Sequence, residues 1–99
     1  MEKSVPHYVL ADILRQMATV DAMYLTFSAL DGIRSAGLTR ADALLIVRSL
    51  QRKNFYKSMT THANHQVWQD VYHGTHGELA LYIKFQRAGA YFVVSFKEL

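Results

Sequence analysis

The sequence predicts an α+β fold in which N-terminal helices pack on one face of an antiparallel-rich sheet. Apolar residues recur at helical spacing up to about residue 50, and from residue 55 they alternate with a period of two. The 99 residues include a single proline and show no repeat, low-complexity tract or linker, so we expect one domain over residues 1–99. Residues 1–53 are expected to be mainly helical, and residues 54–99 to form the sheet that carries the functional site.

The first helix is predicted shortly after Pro6, because proline is tolerated only near the start of a helix. Its apolar stripe is formed by Val9, Leu10, Ile13, Leu14 and Met17. Residues 22–25 (AMYL) follow and favour a short strand. A second helix is predicted from a capping box at Ser28 and Asp31, with Gly37 as its stop. Its inward face is formed by Phe27, Leu30 and Ile33.

A third helix is predicted from a second capping box, Thr39 and Asp42, and it is expected to end near Leu50. Its inward residues are expected to be Leu44, Leu45 and Val47. After it, strands are predicted at about residues 55–61, 67–73, 79–86 and 91–97. Helices followed by consecutive hairpins are typical of an α+β domain.

The last two predicted strands can be aligned with each other. A turn over residues 87–90 places Phe85 opposite Phe92 and Ile83 opposite Val94, so that large apolar residues meet on one face. A shift of one residue would separate these pairs. We therefore expect this face to pack against the helices.

The other face of this hairpin is expected to be open. The same register places Tyr82 opposite Ser95, with Lys97 one diagonal step away and Lys84 on the same face. Residues 51–99 carry six basic and three acidic side chains, whereas residues 1–50 carry five of each. Cations and aromatic rings on an open sheet suit a nucleic acid, because phosphates bind cations and bases stack on rings. A solvated face without a partner has the same composition, so this alternative stays open.

The composition excludes several other classes of protein. The chain has no cysteine, which rules out a disulfide framework and a thiolate metal site. No secretion signal is recognised, and no apolar run approaches the roughly 20 residues that span a bilayer, so we expect a cytoplasmic protein without membrane contact. Two histidine pairs, His62 with His65 and His73 with His76, have nitrogen ligands that zinc accepts. Their spacing is unspecific, and we predict neither a metal nor a cofactor.

Four motifs in order resemble the MqsR family, the toxins of MqsR–MqsA type II toxin–antitoxin systems. They are FYKSMTT at residues 55–61, WQDVY at 68–72, Y-x-K at 82–84 and VSFKE at 94–98. The initial MEK..PH adds to the resemblance, which spans nearly the whole chain and is looser in the helical half. Together the four motifs are highly specific, although each alone would be weak.

The resemblance implies a bacterial endoribonuclease that cleaves mRNA, at GC-containing triplets such as GCU, on a fold similar to the RelE and YoeB toxins. It also implies that the partner is a cognate, MqsA-like antitoxin. We expect the two proteins to form an oligomer. The family's catalytic residues fall on Lys57, Gln69, Tyr82 and Lys97. Departures at His73 and in the turns at 74–78 and 87–90 bear on RNA sequence preference and on the choice of antitoxin.

RNA supplies its own nucleophile, the 2′-hydroxyl. The enzyme must deprotonate it, stabilise the charge on pentacoordinate phosphorus and protonate the departing 5′-oxygen, all without a metal. We assign phosphate stabilisation and proton transfer to Lys57 and Lys97, since neighbouring ammonium groups lower each other's pKa. Tyr82 is assigned acid–base work, and Gln69 the orientation of the scissile phosphate or a base. Two further candidates for substrate binding are His73 and Lys84.

Each assignment has a plainer alternative. An exposed strand lysine is usually only solvated, and a strand tyrosine usually packs across strands. The chain would then be a non-catalytic RNA- or partner-binding regulatory domain that uses the same basic face. The alternation around Gln69 is also imperfect, because Val67 and Val71 share its nominal face. Either a sheet buried on both sides or a bulge would explain this.

Overall fold

One six-stranded sheet organises the chain. The computed structural model describes residues 1–99. Its elements are β1 (Glu2–Lys3), α1 (Leu10–Gln16), β2 (Tyr24–Leu25), α2 (Phe27–Ser35), α3 (Arg40–Arg48), a 3₁₀ turn (Arg52–Asn54), β3 (Phe55–Thr60), β4 (Trp68–His76), β5 (Leu79–Ala88) and β6 (Tyr91–Glu98). The strand order is β1-β3-β4-β5-β6-β2, and every pair is antiparallel except β2 with β6. No helix is long and apolar enough to cross a lipid bilayer.

The hydrophobic core lies between one face of the sheet and the helices. One cluster of 16 buried residues joins side chains from α1, α2 and α3 to side chains from β4, β5 and β6. The large apolar residues of the last hairpin, including Ile83 and Phe85, belong to it, as predicted. Burying a large apolar side chain contributes about 1.5–3 kcal/mol, so this face holds the two halves of the chain together. The predicted α+β class is confirmed.

The second helix begins earlier than its predicted capping box. Its N-cap is Thr26, whose hydroxyl oxygen accepts a hydrogen bond from the backbone N–H of Ala29 at 3.1 Å, so the box predicted at Ser28 is wrong. Thr26 also donates its backbone N–H to the carbonyl of Val94 at 3.2 Å, and the chain therefore turns from β2 directly into α2. Phe27 then falls in the first turn and is 90% exposed instead of inward.

The third helix has the predicted capping box. The Thr39 hydroxyl accepts from the N–H of Asp42 at 3.0 Å, and the Asp42 carboxylate accepts from the N–H of Thr39 at 2.9 Å. The inward face is set by Ala43, Ile46 and Val47, whereas Leu45 is exposed, contrary to the prediction. The capping box therefore predicted the start of the helix correctly. The predicted inward face was wrong in part, because Ala43 is buried and Leu45 is not.

The β4–β5 and β5–β6 hairpins close with two-residue turns, Gly77–Glu78 and Gly89–Ala90, respectively. In each turn the glycine has a positive φ, +60° at Gly77 and +64° at Gly89, which side chains disfavour. The turn predicted over residues 87–90 is therefore two residues too long.

The shorter turn shifts the register of the last hairpin by two residues. Ile83 lies opposite Phe96, and Tyr82 lies directly opposite Lys97 instead of Ser95. Because side chains alternate with a period of two, a shift of two keeps each residue on its predicted face. The predicted faces are thus confirmed, while the predicted partners are wrong.

A buried carboxylate ties the N-terminal segment to the sheet. Asp70 on β4 is fully buried and accepts hydrogen bonds from the backbone N–H groups of His7, at 3.0 and 3.1 Å, and of Tyr8, at 2.8 Å. Its fourth hydrogen bond comes from the Ser58 hydroxyl on β3 at 2.6 Å. These contacts hold the N-terminal segment beside β3, where residues 2–3 add the edge strand β1, which the sequence did not predict.

The other edge of the sheet is covered by α2. The short β2 pairs with residues 93–94 of β6, and the next residues of β6 meet the helix. A Cβ added at Gly32 would lie 2.1 Å from the carbonyl oxygen of Phe96, so the two backbones are in direct contact. This packing brings Ser28, one helical turn earlier, to the rim of the face opposite the core.

We expect Asp70→Ala to destabilise the fold by about 3 kcal/mol, because it leaves the buried Ser58 hydroxyl and the partly buried N–H groups of His7 and Tyr8 without their acceptor. Urea denaturation followed by circular dichroism measures this difference in the free energy of unfolding.

Asp12→Ala is the matched control, since Asp12 forms an exposed pair with Arg15 at 2.9 Å. Exposed pairs of this kind contribute at most about 1 kcal/mol. Equal losses for the two variants would contradict the anchoring role of Asp70.

Candidate active site

The open face carries three rows of side chains that run across the strands. Lys57, Val71, Lys84 and Ser95 are successive partners in the middle row. The row on one side consists of Met59, Gln69, Gln86 and Val93, and the row on the other side of His73, Tyr82 and Lys97. All four residues predicted to be catalytic, and both predicted substrate-binding residues, therefore lie on one face of the sheet.

Tyr82 and Lys97 lie directly opposite each other on β5 and β6. The Nζ atom of Lys97 lies 4.9 Å from the centre of the Tyr82 ring. Both side chains line a cavity of about 350 Å³, together with Lys84 and, at the rim, Ser28 from α2. Two ammonium groups and a phenol thus border one space, and its lining includes no carboxylate.

Lys84 lies at the centre of the face and is partly buried. Burial of its ammonium group, and secondly the charge of Lys97, lower the pKa of Lys84. The sequence led us to expect a lowered pKa at Lys57, where the pKa is instead raised, and the structure places the lowering at Lys84. A lysine with a lowered pKa gives up its proton more readily and is suited to proton transfer.

Gln69 lines a second, smaller cavity beside the first. Its Nε2 donates a hydrogen bond to Oε1 of Gln86 on the neighbouring strand at 2.8 Å. The cavity measures about 120 Å³ and shares Ser28, Lys84 and Ser95 with the larger one. Gln69 and the pair Tyr82–Lys97 are therefore brought to adjoining spaces with Lys84 between them.

Lys57 is on the same face but outside these two cavities. Its Nζ lies 2.7 Å from Oε1 of Glu2 on β1, in a shallow depression that Tyr56 also lines. The hydrogen bond that Lys57 donates to Glu2 raises the pKa of Lys57, and the same contact lowers the pKa of the Glu2 carboxyl. Lys57 therefore carries a firmly held positive charge. Met59, two positions after Lys57 on the same face of β3, lines the larger cavity, so Lys57 lies near that cavity.

His73 stacks between two tyrosines. Its ring centre lies 4.4 Å from that of Tyr56, with 24° between the planes, and 6.0 Å from that of Tyr82. The Nε2 atom of His73 is buried and has no hydrogen-bond partner. This arrangement supports a packing role that fixes the Tyr82 ring, while direct contact of His73 with a substrate stays a prediction.

The imperfect alternation around Gln69 has its structural source at Val71. Val71 lies on the open face, yet it is fully buried among the longer side chains of its row. In β3, the register shifts between Phe55 and Lys57, which is a bulge at Tyr56. This bulge lies in the neighbouring strand, and β4 itself pairs with β5 without a register shift, so burial on both sides at Val71 explains the pattern and a bulge does not. No group of three or more His, Asp or Glu side chains is placed to hold a metal ion.

Sequence reasoning missed three residues of this site. Gln86 lies two positions after Lys84 on β5, so strand alternation alone placed it on the open face. Ser28 was assigned to a capping box, and no pattern indicated that α2 meets the rim of the sheet. Glu2 reaches Lys57 only through β1, which is too short to have a recognisable period.

The chain resembles known proteins over its whole length. The sequence model of one family, described as "Motility quorum-sensing regulator, toxin of MqsA", matches residues 5–98. The mRNA interferase toxin MqsR of Escherichia coli (strain K12) is 34% identical over 98 residues. That alignment covers 99% of this chain and 99% of the relative.

We expect Glu2→Gln to lower the pKa of Lys57 toward its ordinary value, because the carboxylate that stabilises the charged ammonium is lost. Lys57 then begins to lose its proton at a lower pH. An NMR titration of the lysine ε-methylene signals measures this shift.

Glu98→Gln removes an exposed carboxylate that pairs with no lysine and is expected to leave the Lys57 titration unchanged. An unchanged Lys57 titration in Glu2→Gln would mean that the ion pair does not form in solution.

Proposed function

This chain belongs to the MqsR toxin family, and we propose from that premise that it is an mRNA-cleaving toxin whose active site is the open face of the sheet. The observation that carries the proposal is the cavity shared by Tyr82, Lys84 and Lys97. It offers positive charge and an ionisable hydroxyl around a space of about 350 Å³ with no carboxylate in its lining. A phosphodiester fits this chemistry.

Lys84 and Lys97 are positioned to stabilise the phosphate. During attack by the 2′-hydroxyl, negative charge builds up on the oxygens of phosphorus, and cations in a partly dry site stabilise it strongly. Two lysines at one cavity match the two non-bridging oxygens that carry this charge. The RNA supplies the nucleophile. In the proposed reaction the side chains of the protein supply the positive charge and the proton-transfer groups.

Tyr82 is the group proposed for proton transfer. Its ring is held between His73 and the Lys97 ammonium, which fixes its position in the cavity. In this position the phenolate form can accept the proton of the 2′-hydroxyl, or the phenol form can donate a proton to the departing 5′-oxygen, and such help typically contributes about 10²- to 10⁴-fold. Lys84, with its lowered pKa, is the second candidate for this work.

Lys57 and Gln69 are proposed to hold the RNA on either side of the reacting phosphate. Lys57 is paired with Glu2 and lies near the larger cavity without lining it, so it is suited to a flanking phosphate. Gln69 lines the smaller cavity, which adjoins the larger one, and its amide can form hydrogen bonds with the RNA there. This refines the roles expected from the sequence, where Lys57 was assigned to the reacting phosphate itself.

We also infer a partner and a sequence preference from the family. The family description names a toxin of MqsA, and the matched relative is an mRNA interferase by name. The proposed partners are therefore mRNA and a cognate, MqsA-like antitoxin, with which the chain would form an oligomer. Cleavage at GC-containing triplets such as GCU is part of this proposal.

We expect Tyr82→Phe to lower the rate of RNA cleavage at least ~100-fold with the fold intact, because it removes the proposed proton-transfer group. Single-turnover cleavage of a labelled RNA measures the rate, and circular dichroism checks folding.

Tyr91→Phe is the matched control for Tyr82→Phe. Tyr91 is exposed on β6, six residues or about 20 Å along the strand from Lys97. Near-normal cleavage by Tyr82→Phe, or an equal loss in Tyr91→Phe, would remove Tyr82 from the mechanism.

A non-catalytic RNA-binding domain is the second candidate function, since the same cations bind phosphates without cutting. We expect the wild-type protein to cleave single-stranded RNA in excess EDTA and to leave 2′,3′-cyclic phosphate ends, because the 2′-hydroxyl is the nucleophile. Mass spectrometry of the products identifies these ends. A shift of RNA mobility without cutting would favour the binding domain.

A further inference from the structure

We propose that the smaller cavity of the open face is a nucleobase subsite, in which the amide pair Gln69–Gln86 reads the hydrogen-bonding edge of one base of a single-stranded RNA. The inference rests on the proposed function and adds to it the residue that determines specificity, Gln86. The cavity adjoins the proposed phosphate site, and both share the wall formed by Ser28, Lys84 and Ser95.

The two glutamine side chains are fixed by each other. Gln69 Nε2 donates to Gln86 Oε1 at 2.8 Å, and this is the one hydrogen bond that either amide makes within the protein. The pair therefore leaves Oε1 of Gln69 as a free acceptor and Nε2 of Gln86 as a free donor. If both amides are turned over, the pair still leaves one acceptor and one donor, so the pattern does not depend on the assignment of oxygen and nitrogen.

The two cavities differ in the chemistry of their linings. Tyr82 and Lys97 border only the larger cavity, and with Lys84 they give it the cationic character of a phosphate site. The smaller one has amide and hydroxyl groups, no carboxylate, and a single cation at the shared wall. Its polar lining consists of Thr26, Ser28, Gln69, Lys84, Gln86 and Ser95.

A neighbouring acceptor and donor match a base edge. Each RNA base presents a donor next to an acceptor on its Watson–Crick edge, and glutamine amides form such paired hydrogen bonds with bases. Unpaired bases of single-stranded RNA expose this edge, whereas phosphate offers only acceptors. A base adjacent to the reacting phosphate is thus the ligand that the cavity accepts, and the hydroxyls around the pair select among the four bases.

The test uses Gln86→Glu and Gln86→Leu on a randomised single-stranded RNA pool, with sequencing of both ends at each cut. Gln86→Glu keeps the acceptor for Gln69 but replaces the outward donor by a second acceptor. Gln86→Leu removes both. We expect each variant to change the preference for one base beside the cut about tenfold or more, while preferences at the other positions stay unchanged. Comparing sites within one pool cancels any general loss of rate from the added charge.

Gln66→Leu, a change at an exposed loop residue away from the cavity, is the control and is expected to keep the wild-type preference. Unchanged preference in both Gln86 variants would overturn the base subsite and leave the nuclease assignment standing. A uniform loss of rate in Gln86→Leu alone would also overturn it, because Gln86 would then only position Gln69. If the wild-type protein does not cut the pool, the proposed function fails, and binding of single-base RNA variants still tests the subsite.

Discussion

The buried carboxylate of Asp70 is the contact on which the arrangement of the sheet depends. It gathers donors from the N-terminal segment and from β3 on the core face of β4. A buried charge is stable only when it is well satisfied, so the backbone of residues 7–8 has little freedom to leave this position. Because neighbouring residues of a strand point to opposite faces, fixing Asp70 inward also fixes Gln69 and Val71 outward. The contacts of Asp70 and the candidate site thus lie on opposite faces of the same strand, β4.

The alternation of side chains explains why the faces of the sheet were predictable and the partners were not. A period of two assigns Tyr82, Lys84 and Lys97 to one face for any register that differs by an even number of residues. The register itself depends on the turn, and the sequence around Gly89 fits both a four-residue and a two-residue connection. The direct pairing of Tyr82 with Lys97 therefore needed the structure. The helix starts show the same limit, since Thr26 and Ser28 are both acceptable caps and the tie of Thr26 to β6 decides between them.

Most residues of the candidate site, and the face on which they lie, were predictable from the family motifs and from strand alternation. The four proposed catalytic residues came from the resemblance, and strand parity extends the same face to Gln86. What the sequence does not contain is the environment of each group. Lys57 and Lys84 are both strand lysines, yet contact with Glu2 raises the pKa of Lys57 whereas burial lowers that of Lys84. Such differences arise from neighbours that are distant along the chain, and no local pattern records them.

The backbone contact between Gly32 and Phe96 has a consequence for how this surface can diversify. The absence of a side chain at position 32 allows α2 to lie this close to β6, so a larger residue there would push the helix away from the strand. Substitutions at Ser28 and Ser95 would replace the hydroxyls that line the two cavities and so alter the ligand that is recognised. They would leave the contact between Gly32 and Phe96 in place. The chemistry of this surface and the distance between α2 and β6 can therefore change independently, because different residues determine them.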